Sequence, residues 1–318
     1  MNHTIKSKKV AVIGTGLVGT SFMAAAHLMG LAAEYGIIDI NEQKAGANAM
    51  DLEDSLSVMD SGRTTKLYNY SDLKDADVIV ITAGRPQKHG ETRLELLVDN
   101  AKIMKSIAES VKKSGFNGVT VINSNPVDVM TGIYAKVTGF DKNKVISSGT
   151  ALEASRFVQE VASRFNLNPA TVKGAVLGEH GDSSVSVFES INAGGVPYAD
   201  LNKNKIISKA DEDIIQENVR RKAYKIIEGK GSTFYGVGAV TAKLVRAIIN
   251  DEHSVHCVGA YLTGQYGVKD IYFGTPAVLG SNGIQQILEV SLTDEKMKLV
   301  KKSAEIVKTA FESVAKHI

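Results

Sequence analysis

Cysteine is nearly absent from this chain, whose 318 residues include only Cys257. One thiol cannot form an intramolecular disulfide or supply a cysteine metal cluster, so we expect no metal site of that kind. The sequence is therefore not that of a disulfide-stapled secreted domain. It is compatible with a reducing compartment, and we expect a cytoplasmic protein.

Net charge and long apolar runs are also lacking. The formal net charge is only +2, which gives no reason to expect nucleic acid or an anionic membrane as a partner. No segment approaches the roughly 18 uninterrupted apolar residues of a membrane span, because the most apolar stretch, 22–33, contains His27 and Gly30. Hydrophobic residues make up 43% and charged residues 23% of the chain, which favours a globular fold over disorder.

The first half alternates short β-rich runs with helical patterns such as 94–114. Its basic start precedes an apolar run that is too short for a signal peptide, so we predict a strand there. Near-continuous apolar runs are typical of parallel strands covered on both faces. The alternation predicts an α/β fold with a Rossmann-type, doubly wound parallel sheet. The predicted strands are 10–13, 35–39, 78–82, 119–122 and 145–147.

The second half has a different pattern, which predicts an α+β domain. A boundary near Ser148 divides the chain into a first domain, 1–148, and this second domain, 149–318. The runs 254–262 and 270–278 are expected to be antiparallel neighbours. The other predicted elements are strands 172–177 and 184–188, and helices 152–165, 209–227, 236–249 and an amphipathic closing helix within 294–318.

A glycine-rich turn follows the first predicted strand. Gly14, Gly16 and Gly19 form the GxGxxG pattern, which permits a tight turn, close approach of backbone to a pyrophosphate and close helix packing. The following helix offers free N–H groups to the phosphates. Asp39 ends the next predicted strand, where a carboxylate accepts hydrogen bonds from ribose hydroxyls and repels a 2′-phosphate. The pattern predicts an NAD site, although a purely structural turn with a surface aspartate is the alternative.

Polar residues in the later motifs suit the reduction of a 2-keto acid. His180 lies between glycines after an apolar run and could deliver a proton near neutral pH. Glu153 is the candidate partner that would orient the imidazole. Arg156, one helical turn from Glu153, could clamp a carboxylate, and Arg93 could polarise a carbonyl. Spacing alone leaves the alternatives of a structural histidine, an ordinary surface ion pair and an arginine on a solvated helix start.

Several segments together resemble the lactate/malate dehydrogenase family, and within it the bacterial lactate-specific branch, nearly from end to end. They are GTGLVG, AGRPQKHGETRLELL, NSNPVDVMT, GEHGDSSV, AYKIIEGKGSTFYG and AYLTGQYGVKDIYFGTPAVLG. The resemblance implies that 1–148 is the NAD-binding domain and that 149–318 is an α+β substrate-binding and catalytic domain. It implies NAD as cofactor, pyruvate and L-lactate as substrates, and a homotetramer. It also implies that the Asn125–Pro126 peptide bond is cis.

The resemblance also assigns roles to single residues. It implies that His180 is the acid/base, that Arg93 polarises the carbonyl and that Arg156 holds the substrate carboxylate. Asn125 and Thr233 would contact the substrate. The implied cofactor contacts are Gly14, Gly16, Val18, Gly19, Asp39, Lys44, Tyr70, Gly84, Asn123 and Asn125.

Gln87 is the residue that bears on substrate choice. It stands where malate-specific members of the family carry arginine, which pairs with the second carboxylate of oxaloacetate. A neutral glutamine would leave that charge buried and unpaired, so pyruvate is expected over oxaloacetate. A sister enzyme acting on malate or on a longer 2-hydroxy acid is the nearest alternative. Two others are an NAD-dependent glycosidase, which would carry cysteine and histidine metal ligands, and a non-catalytic dinucleotide-binding protein.

The sequence departs from the family pattern in three places. Glu153 stands where the resemblance predicts aspartate, so the carboxylate must reach His180 from a shifted backbone or another rotamer. Val158 and Lys173 stand where many bacterial relatives bind fructose bisphosphate through arginine and histidine, so we expect weak or absent activation by that sugar. Arg85-Pro86 is also unusual and would stiffen the loop that should close over the substrate.

Overall fold

The computed structural model describes residues 8–58, 63–85, 92–316 and 318. Gln87 and Pro86 lie outside the described residues, as does the side chain of Arg93. The first half contains strands β1 (Lys9–Ile13), β2 (Glu34–Ile38), β3 (Thr64–Leu67), β4 (Val78–Ile81), β5 (Val119–Ile122) and β6 (Val145–Ser147). Its helices are α1 (Leu17–Met29), α2 (Glu42–Asp54), α3 (Arg93–Ser114) and α4 (Val127–Thr138).

The second half begins with helix α5 (Ala151–Arg164). Its strands are β7 (Val172–Leu177), β8 (Val185–Ala193), β9 (Val196–Pro197), β10 (Ser254–Thr263), β11 (Lys269–Gly280) and β12 (Gly283–Ile287). The remaining helices are α6 (Tyr198–Leu201), α7 (Lys209–Lys230), α8 (Tyr235–Ile249) and α9 (Asp294–Ala315). No helix within the described ranges is long and apolar enough to cross a membrane.

One sheet runs through both halves of the chain. Its first part has the parallel order β3-β2-β1-β4-β5-β6, the doubly wound arrangement expected from the sequence. Strands β10, β11 and β12 continue the same sheet in antiparallel fashion, and β10 joins β6 at the pair Gly259 and Ser147. Strands β7, β8 and β9 form a separate antiparallel sheet. The predicted fold class is confirmed, and so is the antiparallel pairing of β10 with β11.

The sheet is covered on both faces, as its apolar strands require. Strands β4 and β5 are buried at every position. One core lies against α1 and α8, and a second lies against α3, α4 and α9. The chain turns into α3 through a capping box, in which Thr92 accepts from the backbone N–H of Glu95 and Glu95 accepts from that of Thr92. These packed helices fix the carboxyl ends of the parallel strands, where the polar motifs emerge.

His27 on α1 is a titratable group buried beside the first core, without exposed surface. Its Nδ1 lies 2.8 Å from the carbonyl oxygen of Met23 and its Nε2 lies 2.9 Å from the hydroxyl of Thr65. The ring stacks on Tyr35 at 3.9 Å. A carbonyl can only accept, so Nδ1 carries a proton, whereas the hydroxyl of Thr65 can either donate to Nε2 or accept from it. Burial lowers the pKa of His27 below its ordinary value.

We expect His27 to make the fold sensitive to acid. Because its pKa is lowered in the folded state, the unfolded chain takes up the proton first, so stability falls as the pH drops below about 6.5. The His27→Gln variant should lose less unfolding free energy than the natural chain between about pH 7.5 and about pH 5.5. Urea titrations at both pH values measure this difference. Ser313→Ala, which removes no ionisable group, provides the control and should leave the pH dependence unchanged. Equal pH dependence in all three proteins would contradict the assignment.

Candidate active site

The glycine-rich turn between β1 and α1 is shaped for a bound group. Gly14 has φ +101°, and a Cβ there would lie 2.7 Å from the backbone nitrogen of Ala83. A Cβ at Gly19 would lie 2.1 Å from the carbonyl oxygen of Gly14. By contrast, a Cβ at Gly16 would meet nothing within 4 Å. Gly14 and Gly19 are therefore required by packing, whereas Gly16 leaves open space beside the N-terminus of α1.

Asp39 follows β2 and fastens the glycine-rich turn. Its Oδ2 accepts hydrogen bonds from the backbone N–H and the hydroxyl of Thr15, at 2.6 and 2.8 Å, and its Oδ1 accepts from the N–H of Asn41 at 2.9 Å. Burial opposes its charge, but these bonds and the nearby Lys44 hold the pKa of Asp39 below its usual value. A charged carboxylate thus stands beside the open turn.

The other predicted cofactor contacts lie around the same edge of the sheet. Lys44 is exposed in the first turn of α2, Tyr70 is half-buried and Gly84 is exposed after β4. Asn123 follows β5, and its Nδ2 donates to the hydroxyl of Thr241 at 3.0 Å. Its Oδ1 is buried without a hydrogen-bond partner among the described residues.

A cavity of about 440 Å³ opens at the carboxyl ends of the parallel strands. It brings together side chains from both halves of the chain, far apart in sequence. The predicted site residues that line it are Val18, Asn123, Asn125, Glu153, Arg156, His180 and Thr233. The Asn125–Pro126 peptide bond is cis, as the resemblance implies.

His180 and Glu153 form the central pair of this cavity. Nδ1 of His180 lies 3.0 Å from Oε1 of Glu153, and the two side chains are 25% and 5% exposed. The glutamate on α5 therefore reaches the imidazole despite its extra methylene group. The alignment is imperfect, because neither this Nδ1 nor Oε2 of Glu153 has a hydrogen-bond partner of good geometry among the described residues.

The charges around His180 favour its protonated form. Burial alone favours the neutral imidazole, but the carboxylates of Glu153 and Asp128 outweigh it and raise the pKa of His180 to about 9. Burial likewise opposes the charge of Glu153, yet His180 holds the pKa of that carboxyl below its usual value. The pair is therefore an imidazolium beside a carboxylate at neutral pH.

Arg156 lies on α5, the helix that carries Glu153, and is the second cation of the cavity. Its side chain is 7% exposed, and its Nη1 lies 4.0 Å from Oε1 of Glu153. Within the described part of the chain, its guanidinium makes no hydrogen bond. Burial lowers the pKa of Arg156, and Glu153 acts against that shift. A buried guanidinium with free donors that faces a cavity is a site for an anion, best for a planar carboxylate.

Asp128 is a site residue that the sequence analysis did not assign. It is buried on α4, where its Oδ2 accepts from the backbone N–H of His180 at 2.9 Å and its Oδ1 accepts from the hydroxyl of Ser147 at 2.9 Å. Burial raises the pKa of Asp128 to about 6. The sequence signal for Asp128 is a charged residue at the start of an otherwise apolar helical segment, in the motif NSNPVDVMT.

The predictions for Gln87 and for the side chain of Arg93 concern parts of the chain outside the described residues. Gln87 lies outside the described residues, and Arg93 is placed only as the first residue of α3. The two residues at the expected effector positions are described. Val158 is half-buried and packs against the core around Phe157, and Lys173 is exposed on β7.

Family models match almost the whole chain. Residues 8–147 match the NAD-binding domain of lactate/malate dehydrogenases, and residues 150–318 match their α/β C-terminal domain. The chain belongs to the lactate/malate dehydrogenase family. Members of this family reduce or oxidise their substrates with NAD, and this chain is accordingly an NAD-dependent oxidoreductase.

Similar proteins support this membership at both sequence and structure level. The L-lactate dehydrogenase of Mycoplasma mobile is 50% identical over 303 residues, which cover 95% of each chain. That of Mycoplasma pneumoniae is 48% identical and covers 96% of this chain and 97% of its own. The minor L-lactate dehydrogenase of Enterococcus mundtii in its ligand-bound form is 36% identical, with a TM-score of 0.95 and coverage of 97% and 98%.

A further solved relative has its ligands in place. The lactate dehydrogenase of Cryptosporidium parvum, complexed with lactic acid and NAD, is 32% identical to this chain, with a TM-score of 0.92 and 98% of each chain covered. The residues present here fit NAD, since Gly16 leaves room beside the N-terminus of α1 and Asp39 is held as a carboxylate.

We expect Gly14 and Gly16 to respond differently to alanine. Gly16→Ala should leave the unfolding free energy within about 0.5 kcal/mol, because its Cβ meets nothing. The same Cβ should occupy the space beside the turn and weaken NADH binding by about tenfold or more. Gly14→Ala should instead cost about 1–3 kcal/mol of stability through its backbone strain. Urea unfolding and NADH fluorescence titration separate the two effects. Unchanged NADH affinity in Gly16→Ala would remove this glycine from the cofactor site.

Proposed function

We propose that this chain is an L-lactate dehydrogenase that interconverts pyruvate and L-lactate. The observation that carries the proposal is the buried guanidinium of Arg156, with free donors, beside the protonated His180 in one cavity. This pair of groups suits a small molecule that has a carboxylate next to a carbonyl. The names of the similar proteins point to the same reaction.

Arg156 would hold the substrate carboxylate. Its guanidinium is buried, its nearest carboxylate is 4.0 Å away, and its donors are not used by the described residues. A planar carboxylate could accept two parallel N–H···O bonds and compensate the buried charge. Asn125 and Thr233 line the same cavity and would fix the remaining orientation.

His180 would transfer the proton. Its Nδ1 faces Glu153, which leaves Nε2 on the opposite side of the ring for the carbonyl oxygen of pyruvate. NADH, when bound, supplies the hydride to the carbonyl carbon. As the oxygen gains negative charge, protonated His180 donates its proton and returns to the neutral form, and Glu153 stabilises the imidazolium before that step. In the reverse direction, neutral His180 removes the hydroxyl proton of L-lactate.

Two residues before and at the start of α3 complete the proposal. Arg93 would polarise the carbonyl. Gln87 would leave room for the methyl group of pyruvate but could not form an ion pair with a second carboxylate. Closure of this segment over the cavity would exclude water and strengthen the interactions of the charges inside. The cofactor contacts proposed from the resemblance are Val18, Lys44, Tyr70, Gly84, Asn123 and Asn125, together with the glycine-rich turn and Asp39.

We further propose that the protein acts in the cytoplasm as a homotetramer, and that fructose bisphosphate activates it weakly or not at all. The effector proposal rests on Val158, which is half-buried against apolar side chains and cannot contact a phosphate as arginine does. Lys173 retains a positive charge at the second position but lies on the exposed side of β7.

The Glu153–His180 pair predicts a particular pH dependence. The raised pKa of His180, about 9, should keep the imidazole protonated and pyruvate reduction active up to about that pH. In Glu153→Gln, the pKa of His180 should fall. The loss of activity on the alkaline side of the pH profile should therefore begin at a lower pH than in the natural chain. The turnover number should also drop by about 10²–10⁴-fold. Rates of NADH oxidation with pyruvate across pH provide the measurement.

Glu153→Asp is the matched control for that experiment, because it keeps the charge and restores the residue common in the family. This variant should retain most of the turnover, and the pKa of His180 should stay high. If Glu153→Gln turned over pyruvate at the natural rate with an unshifted pH profile, Glu153 would have no part in catalysis.

Substrate preference tests the function as a whole. The purified protein should oxidise NADH rapidly with pyruvate, slowly with oxaloacetate, and equally with and without fructose bisphosphate. Gln87→Arg should raise kcat/KM for oxaloacetate by about tenfold or more, since the new cation pairs with the second carboxylate. Preference of the natural chain for oxaloacetate would contradict the proposed substrate. A Gln87→Arg variant without any gain would place residue 87 outside the substrate pocket.

A further inference from the structure

The loop that carries His180 is fixed by hydrogen bonds from its successive backbone N–H groups to neighbouring elements. The N–H of Gly178 donates to the carbonyl oxygen of Gly274 at 3.0 Å. The N–H of Glu179 donates to the hydroxyl oxygen of Ser303 at 2.9 Å, and the N–H of His180 donates to Asp128 at 2.9 Å. Three different elements, β11, α9 and α4, therefore contact three consecutive residues. Of these contacts, the one from α9 is made across 124 positions of sequence.

Ser303 has no exposed surface, and its hydrogen bonds lead away from its own helix. A serine within a helix commonly donates back to a carbonyl of the preceding turn, as Ser313 of the same helix does to Ala310 at 2.7 Å. The hydroxyl of Ser303 instead contacts the backbone of Glu179 and the hydroxyl of Ser183, the latter at 2.8 Å. Helix formation does not account for this arrangement.

The direction of these hydrogen bonds follows from the number of available protons. Ser183 donates its single hydroxyl proton to the carboxylate of Glu179 at 2.5 Å. The hydroxyl proton between the two serines must therefore come from Ser303, while Ser303 accepts from the N–H of Glu179. The hydrogen bonds therefore run from the N–H of Glu179 through the hydroxyls of Ser303 and Ser183 to the carboxylate of Glu179. Each hydrogen bond in this chain strengthens the next.

The surrounding backbone leaves little room for another arrangement. Gly178 has φ +114°, and a Cβ at this position would lie 2.9 Å from the hydroxyl oxygen of Ser303. The helix thus approaches the loop at the residue where the chain turns from β7 toward His180. A change of one atom at Ser303 removes both the acceptor for Glu179 and the donor to Ser183.

We propose that Ser303 is a positioning residue for His180, so that the helix α9 sets where the acid/base imidazole stands in the cavity. This inference rests on the proposed role of His180. Ser303 does not touch the cavity and would act only through the backbone of Glu179 and His180. Displacement of the catalytic groups by about 1 Å can cost about 100-fold in rate, so loss of one anchor of this loop should be measurable.

The charged groups that face His180 determine how a displacement would be detected. Glu153 on α5 and Asp128 on α4 raise its pKa, and Arg156 on α5 lowers it. Glu153 has the largest effect among the three and lies only 3.0 Å away, so a ring that moves or fluctuates should lose part of that interaction. The apparent pKa for pyruvate turnover should then decrease toward the ordinary histidine value, whereas cofactor binding should stay unchanged.

The test compares Ser303→Ala, Ser183→Ala and Ser313→Ala in the full-length protein. Ser303→Ala should lower kcat/KM for pyruvate by about tenfold or more and shift the pH profile downward, with the Kd for NADH unchanged. Ser183→Ala keeps the acceptor for the N–H of Glu179, so its effect should be smaller. Ser313→Ala, on the same helix, should match the natural chain. All rates are measured well below the melting temperature of each variant, which is determined first.

His180→Asn keeps this inference separate from the proposed function. If His180→Asn retained turnover, the role proposed for His180 would be wrong. If His180→Asn were inactive but Ser303→Ala only lowered the melting temperature, with kcat/KM and pH profile unchanged, Ser303 would be structural and the inference alone would fail. If Ser303→Ala failed to fold, Ser183→Ala would decide the question. It should then show a smaller shift of the pH profile in the same direction, and an unshifted profile would overturn the inference.

Discussion

The rest of the site depends on the cost of burying charge. Two cations, His180 and Arg156, share one carboxylate, Glu153, in a corner of the protein where the side chains of Glu153 and Arg156 are almost wholly buried. The pairing is incomplete, since the geometry between the carboxylate and the imidazole is imperfect and the guanidinium has donors to spare. The guanidinium of Arg156 is buried with unused donors, so an anion that accepts hydrogen bonds from it would stabilise this corner of the cavity. The electrostatics of the cavity therefore favour a ligand that carries a carboxylate.

The fold supports this charge arrangement by bringing together elements that are distant in sequence. Glu153 and Arg156 lie on one helix, His180 lies on a loop after β7, and Asp128 contributes a second negative charge from α4. Each of these elements is packed on the large sheet or its neighbours, and the loop of His180 is fixed at its backbone rather than at its ring. Of the three groups that hold the loop backbone, Gly274 and Ser303 carry no charge, whereas Asp128 also raises the pKa of the imidazole.

Sequence patterns predicted the elements whose burial is uniform and missed those at the margins. Strands β5 and β6 were predicted with the observed bounds because they are short apolar runs that are buried at every position. Strand β7 was also predicted with the observed bounds, although Lys173 on it is exposed. The edge strand β3 was missed, since only one of its residues is buried, and the hairpin strand β12 was missed as well. Some of the residues that line the cavity, such as His180, Glu153 and Arg156, were predicted from their chemistry and the family resemblance, whereas others, such as Arg220, were not. Asp128 and Ser303 were not, because their roles depend on which backbone N–H group they meet, and periodicity carries no such information.

The junction between β6 and β10 has a consequence for how the chain can be divided. The predicted boundary near Ser148 lies immediately after β6, yet the sheet continues across it through the pairing of Ser147 with Gly259, where a Cβ on the glycine would lie 2.3 Å from the serine side chain. Cutting the chain there would give two fragments, each with a newly bare strand edge rich in unpaired backbone groups. Such edges are templates for association with other strands. Separating the two halves would therefore expose strand edges that are paired in the intact chain, and any attempt to transplant either half into another protein must provide a replacement for the missing neighbour strand.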